Sequence, residues 1–162
     1  MLSLATMNNS EESILFFYHD SIVTITFNRP AVLNAIDLNT AETLYRQLTE
    51  AERNPEIRAV ILTGRGRAFC AGGDLRFALA INPRTPGDSF LVLTHTLHAS
   101  ILKLRQMAKP VIAAINGPAA GAGLFLALAC DLRVIADSAY LKQSNTSYGL
   151  SIPAGALLPY PG

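Results

Sequence analysis

The sequence predicts an α/β layer fold, and three observations carry that prediction. Short apolar runs of strand length alternate with longer stretches that repeat apolar residues at helical spacing. Two glycine-rich turns, Cys70-Ala-Gly-Gly-Asp-Leu75 and Asn116-Gly-Pro-Ala-Ala-Gly-Ala-Gly123, each follow an apolar run and lead into a helical pattern. Half of the 162 residues are hydrophobic. A chain of about 150 residues buries roughly 70% of its unfolded surface, so one domain with a real core is expected.

Taken in order, residues 1–11 read as an N-terminal tail, and the domain is expected over 12–162. Ile14-Leu-Phe-Phe-Tyr18 and Ile22-Val-Thr-Ile-Thr-Phe27 read as strands, with His19-Asp20-Ser21 as the hairpin turn between them. In the second strand Val23, Ile25 and Phe27 share one face. Asn28-Arg-Pro30 ends it. Ala41, Leu44, Leu48 and Ala51 mark a helix over 40–53, with Asn39 or Thr40 as its N-cap. Ala59-Val-Ile-Leu-Thr63 is a buried strand, Gly64-Arg-Gly-Arg67 a turn, and Ala68-Phe-Cys70 an extended entry to the first glycine turn. Residues 80–88, with Pro83, Pro86 and Gly87, read as a loop. An amphipathic helix over 90–107, a strand over 110–115, a helix from the second glycine turn to Ala129 and a strand over 132–136 follow.

Composition excludes several classes. Thirteen basic residues face 12 acidic ones, and no basic run or nucleic-acid-reading motif stands out, so nucleic acid is not an expected partner. The N-terminus lacks the basic and apolar regions of a signal peptide. The longest apolar run, Pro118 to Cys130, is short and broken by glycine, whereas a membrane-spanning helix needs about 20 apolar residues. A cytoplasmic location follows as an expectation. Cys70 and Cys130 lie far apart in apolar segments and read as buried, reduced thiols. No close set of ligands suggests a metal.

The two turns carry the chemistry. Glycine lets backbone approach a ligand with no Cβ in the way. The first N–H groups of a helix lack internal partners and carry partial positive charge. The N–H groups of Gly73 and Ala122 are therefore candidates to hold a developing anion, and one such donor is typically worth about 3–4 kcal/mol in a transition state. The structural alternative is that the glycines only permit tight strand-to-helix packing. A dinucleotide or P-loop reading fails, because Gly121-Ala-Gly123 lacks the third glycine and no Gly-Lys-Ser/Thr occurs.

The order of motifs goes further. Asn28-Arg-Pro30 with Asn34-Ala35, Ala59-Val-Ile-Leu-Thr-Gly64, Ala68-Phe-Cys-Ala-Gly-Gly-Asp-Leu75, Lys109-Pro-Val-Ile-Ala-Ala-Ile-Asn-Gly117, Ala120-Gly-Ala-Gly123 and Ala129-Cys-Asp-Leu-Arg133 stand in register. From about residue 14 onward the chain resembles the enoyl-CoA hydratase/isomerase (crotonase) superfamily. The resemblance implies the crotonase fold, shared with ClpP, a spiral of ββα units usually assembled as trimers or trimer pairs. It also implies an acyl-CoA thioester as ligand, with coenzyme A as part of the substrate and no permanently bound cofactor. Fatty-acid metabolism is the implied setting. By the same resemblance Gly73 and Ala122 supply two oxyanion-hole N–H groups, and Asn34, Ala35 and Ala71 lie near the coenzyme A moiety.

The family's hydratases use two glutamates, and the aligned positions here are Phe125 and Asn145. Isomerases and dehalogenases of the family use an aspartate that falls near Pro153, within Ser151-Ile-Pro-Ala-Gly155. General acid–base assistance is worth about 10²–10⁴-fold, and of these residues only Asn145 can even position a water. Asp74 reads as a helix cap, Asp131 as a helix-end residue paired with a nearby base, and Asp137 as a turn residue. His95 and His98 read as solvated helix residues, and His19 as a turn residue. Tyr140 and Tyr148 lie near the aligned segment without an evident activator. Family chains also continue with C-terminal helices where this one stops at Leu157-Leu-Pro-Tyr-Pro-Gly162, which reads as a truncated product. Three readings follow: an enzyme of the hydratase or isomerase type, an impaired acyl-CoA binder or fragment, and a structural subunit that joins intact crotonase chains.

Overall fold

A computed structural model of the chain describes residues 12–81 and 84–144. Its centre is a five-stranded sheet in the order β1-β2-β3-β4-β6. Strands β1 (Ile14–His19) and β2 (Ile22–Phe27) form the antiparallel hairpin, with Phe16 opposite Ile25. Asp20 and Ser21 turn it at φ of 48° and 65°, the left-handed pair that a two-residue hairpin loop demands. Strands β3 (Ala59–Gly64), β4 (Val111–Ile115) and β6 (Leu132–Ile135) then add in parallel, so a helical crossover must lie between each pair. A second sheet pairs two short strands, β5 (Ala119–Ala120) and β7 (Leu141–Lys142).

Helix α1 (Leu38–Arg53) buries the predicted stripe of Ala41, Leu44, Leu48 and Ala51. Its cap is Asp37, not Asn39 or Thr40. Asp37 Oδ1 accepts the Thr40 N–H at 2.8 Å and the Thr40 hydroxyl at 2.7 Å, while Asn39 turns to the Ser13 hydroxyl at 3.3 Å. Asp is as good a cap as Asn, and here only Asp37 has the extended backbone a cap needs. At the other end Lys109 donates to the carbonyls of Ala51 and Asn54, placing a cation at the negative pole of the helix.

The expected loop over 80–88 is helical at 80–81 and 86–88. These residues belong to helix α2 (Leu75–Ile81) and helix α3 (Pro86–Gln106), and Pro83 lies outside the described residues. Pro86 sits in the first turn of α3, where its fixed φ suits a helix and its missing N–H has no partner to lose. Asp88 follows in the same turn, at the positive pole. Helix α4 (Ala122–Ala129) opens at the second glycine turn, as expected.

The core lies between the sheet and the packed helices α1, α3 and α4. Val23, Ile25, Phe27, Val60, Leu62, Val111 and Ala113 face it from the strands. Edge strand β6 differs from the others. Leu132, Val134 and Ile135 are 59%, 64% and 46% exposed, so this apolar edge has no cover from the described residues. No helix among the described residues is long and apolar enough to cross a membrane. Residues 1–11 and 145–162, hence the expected tail, Asn145, Tyr148 and Pro153, lie outside the described residues.

Candidate functional site

The site is built from three backbone segments at the C-terminal ends of the parallel strands. After β2 the chain makes a 3-10 turn at Pro30–Val32 and passes through Leu33 and Asn34, both left-handed, with φ of 55° and 58°. Asn34 tolerates that conformation better than most residues. Its side chain is fully used: Oδ1 accepts the Arg29 N–H at 2.9 Å, and Nδ2 donates to Arg65 O at 3.0 Å and Ala68 O at 2.8 Å. Asn34 is 1% exposed, so it acts as a bracket between two loops, with no side-chain donor or acceptor left over. Ala35 is similarly engaged, its carbonyl accepting from Arg29 Nη1.

The first glycine turn lies against this loop. Ala71 donates to Leu33 O at 3.0 Å, so Asn34, Ala35 and Ala71 do meet in one place. The Ile36 N–H then donates to Gly72 O at 2.8 Å, and the Asp74 N–H donates to Ile36 O at 2.8 Å. Together these bonds make a parallel bridge between Ile36 and Gly73. In such a bridge the neighbours of the central residue make the bonds, and its own N–H and C=O point to the opposite edge. Gly72 has φ of +105°, and a Cβ there would lie 3.0 Å from Ala120 O and 3.4 Å from Ala122 N. The first turn therefore sits directly on the second.

The second turn is fixed mainly by backbone. The N–H groups of Phe69 and Cys70 both donate to Pro118 O, and Ala120 donates to Cys70 O at 2.9 Å. Gly121 donates to Lys142 O at 3.0 Å, which ties the turn to β7. Gly123 packs so closely that a Cβ would stand 2.3 Å from Cys70 O. The packing reading of the glycines is thus correct for Gly123. It does not account for Gly73, whose added Cβ would meet only Phe90 Cε2 at 3.5 Å and Leu93 Cδ2 at 3.7 Å. Those two side chains of α3 form an apolar wall beside the turn.

Neither the Gly73 N–H nor the Ala122 N–H has an acceptor among the described residues. Ala122 is the first residue of α4, where N–H groups are unpaired by construction. Phe125, one turn further, is 3% exposed within the core and has no proton to transfer. Cys70 is fully buried beneath the turns. Burial pushes its thiol from the ordinary 9.0 up to about 12, although the Gly72 N–H opposes the shift. Burial, reinforced by the Asp131 carboxylate, does the same for Cys130. Both cysteines stay protonated and unreactive near neutral pH.

The carboxylates that the sequence offers as acids are structural. Asp74 caps α2, accepting the Phe77 N–H at 3.3 Å, and pairs with Arg29 at 3.1 Å. Asp131 Oδ2 accepts the Val111 N–H at 2.7 Å. Asp137 lies in a turn, and His95 is exposed on α3. A groove of about 570 Å³ lies elsewhere, along the outer face of α1 beside Tyr45, Thr49 and Arg53. It touches neither glycine turn. In the sequence Arg29 stands only as part of the Asn28-Arg-Pro30 motif, without a sign of its partners. Phe90 and Leu93 gave no signal beyond helical spacing.

Known proteins agree with this architecture. Residues 18–161 match the family model for enoyl-CoA hydratase/isomerase. The chain belongs to the enoyl-CoA hydratase/isomerase family. A 4-chlorobenzoyl coenzyme A dehalogenase of Arthrobacter is 38% identical over 154 residues, which is 92% of this chain and 54% of that protein. YngF of Bacillus subtilis, named for enoyl-CoA hydratase/isomerase, is 42% identical over 90% of this chain and 54% of its own length. The solved enoyl-CoA hydratase of Bacillus anthracis superposes with a TM-score of 0.81 at 35% identity, covering 88% of this chain and 55% of that one. The fold is therefore the crotonase fold, and the chain spans about half the length of the relatives it matches.

Proposed function

We propose that the chain binds an acyl-CoA thioester and holds its carbonyl oxygen between the N–H groups of Gly73 and Ala122. The supporting observation is that these two donors, on two turns packed against each other, lack acceptors among the described residues. As negative charge builds on that oxygen, the α-carbon becomes acidic and a thioester enolate is stabilised, a contribution of about 3–4 kcal/mol per donor. Phe90 and Leu93 offer an apolar surface for the acyl group. Ala71 sets the backbone edge for the coenzyme A moiety, while Asn34 and Ala35 shape that edge through their bonds to Arg29, Arg65 and Ala68. The reaction is of the hydratase or isomerase class, with Asn145 as the residue that positions water. A homo-oligomer of a full-length chain is part of the same reading, and the apolar β6 edge, uncovered among the described residues, supports it.

A second reading is favoured by Phe125. A buried phenyl ring where the family's hydratases carry a glutamate suits a protein that binds acyl-CoA without turning it over. The test is incubation with crotonyl-CoA and with a 3-enoyl-CoA, followed by ultraviolet absorbance and by calorimetry. Turnover above background supports the enzyme and excludes the binder. Binding without turnover excludes the enzyme for those substrates. Absence of binding overturns both.

A further inference from the structure

The loop 29–37 and the first glycine turn meet at one guanidinium. Arg29 Nη2 lies 3.1 Å from Asp37 Oδ2 and 3.1 Å from Asp74 Oδ2, and its Nη1 donates to Ala35 O. All three ionic side chains are mostly buried, at 24%, 17% and 12% exposure. The two carboxylates occupy equivalent places. Asp37 follows Ile36 and Asp74 follows Gly73, and Ile36 and Gly73 are the two partners of the bridge. Each aspartate also caps a helix, Asp37 on α1 and Asp74 on α2. One cation thus fastens both strands of the bridge immediately beyond the residue whose N–H the bridge turns outward.

We infer that Arg29 is a positioning residue that aims the Gly73 N–H at the thioester oxygen through Asp74. The inference rests on the proposed function and deepens it. Without the guanidinium, two like charges face each other across the bridge in a region with little water, where their repulsion is weakly screened. The loops part, the Ile36 bonds to Gly72 and Asp74 lengthen, and the Gly73 N–H rotates off its line. Lysine cannot replace arginine here. Its ammonium is a point charge, whereas the planar fork meets two carboxylates and a carbonyl at once. Arg29 itself touches no ligand in this account, and Asn34 keeps its own bonds to Arg65 and Ala68 at the coenzyme A edge, so loss of the guanidinium falls more heavily on the carbonyl contact than on the contacts to coenzyme A.

The test is infrared difference spectroscopy of crotonyl-CoA labelled with carbon-13 at the thioester carbonyl, bound to the full chain. Affinity for a coenzyme A thioether that lacks the carbonyl is measured in parallel. The wild-type chain is expected to lower the carbonyl stretch. Arg29→Gln is expected to lose most of that shift with a much smaller loss of thioether affinity, and Arg29→Lys to lose part of the shift. Asp74→Asn added to Arg29→Gln removes the repulsion but keeps a helix cap, and is expected to restore shift. A full shift in Arg29→Gln, or thioether affinity falling in step with the shift, overturns the inference and leaves the proposed function standing. Should Arg29→Gln not fold, an undiminished shift in Arg29→Lys overturns it equally. A wild-type chain that binds both ligands alike with no shift overturns the proposed function and this inference together.

Discussion

The turn at Gly72–Gly73 is held by backbone bonds reinforced by charged side chains, whereas the turn at Gly121–Gly123 is held by backbone packed on backbone. In the first, the Arg29–Asp74 ion pair reinforces the backbone bonds of Ile36 to Gly72 and Asp74, beside the bracket of Asn34. Pro118 O, Cys70 O and Lys142 O fix the second, with no room for a Cβ at Gly123. The difference separates two meanings of glycine that look alike in a sequence. Gly123 is required by packing. Gly73 is free of crowding, and its N–H has no acceptor among the described residues. The proposed donor is the glycine for which packing supplies no reason.

The largest expected effect strikes the uncrowded turn. Gly73→Pro removes the N–H, and enolate formation, followed as exchange of the α-proton of an acyl-CoA in heavy water, should slow by about 10²–10³-fold. Gly73→Ala keeps the N–H, and its Cβ makes only ordinary contacts, so exchange should remain close to wild type. Equal losses in both variants would show that the site needs the space at Gly73 and not its donor.

Gly123→Ala should act in the opposite sense, on stability first. Its Cβ meets Cys70 O at 2.3 Å, and a forced overpacking of this kind costs about 1–3 kcal/mol. Denaturant unfolding measures it. A neutral result would mean that the second turn yields as readily as the first.

The thiol beneath both turns gives an effect that is absent at neutral pH and small per pH unit in alkali. Cys70 and Cys130 hold their protons up to about 12 in the folded chain, against an ordinary 9.0. Between those values the folded state binds more protons than the unfolded one, so stability falls as pH rises. It is fully present below pH 9 and is lost toward pH 12. The slope is about 1.4 kcal/mol per pH unit for each thiol. Urea unfolding across this range should show it, and Cys70→Ala should reduce the slope. A slope unchanged by that substitution would place the titration elsewhere.

Much of the architecture was legible because it is written in local patterns. The alternation in β2, the stripe of α1 and the run into α4 each follow from one short stretch. The misses have physical reasons. Asp37 was passed over as a cap because Asn39 and Thr40 are equally good types, and only backbone geometry chooses among them. Pro86 and Gly87 read as loop although proline also opens helices. Strands β5 and β7 are two residues each, too short for any periodicity. At the site, Gly73 and Ala122 were visible as turn residues. The junction of Arg29 with Asp37 and Asp74 was not, because it joins residues 45 positions apart (29 and 74) that only the fold brings together.

The central claim is that two backbone N–H groups share one oxygen. Nitrogen-15 NMR of the full chain, titrated with an acyl-CoA and then with the matching coenzyme A thioether, tests it most directly. The account predicts that the Gly73 and Ala122 amide protons move downfield together with the thioester and stay in place with the thioether. Binding of the thioester with either amide unmoved would contradict it.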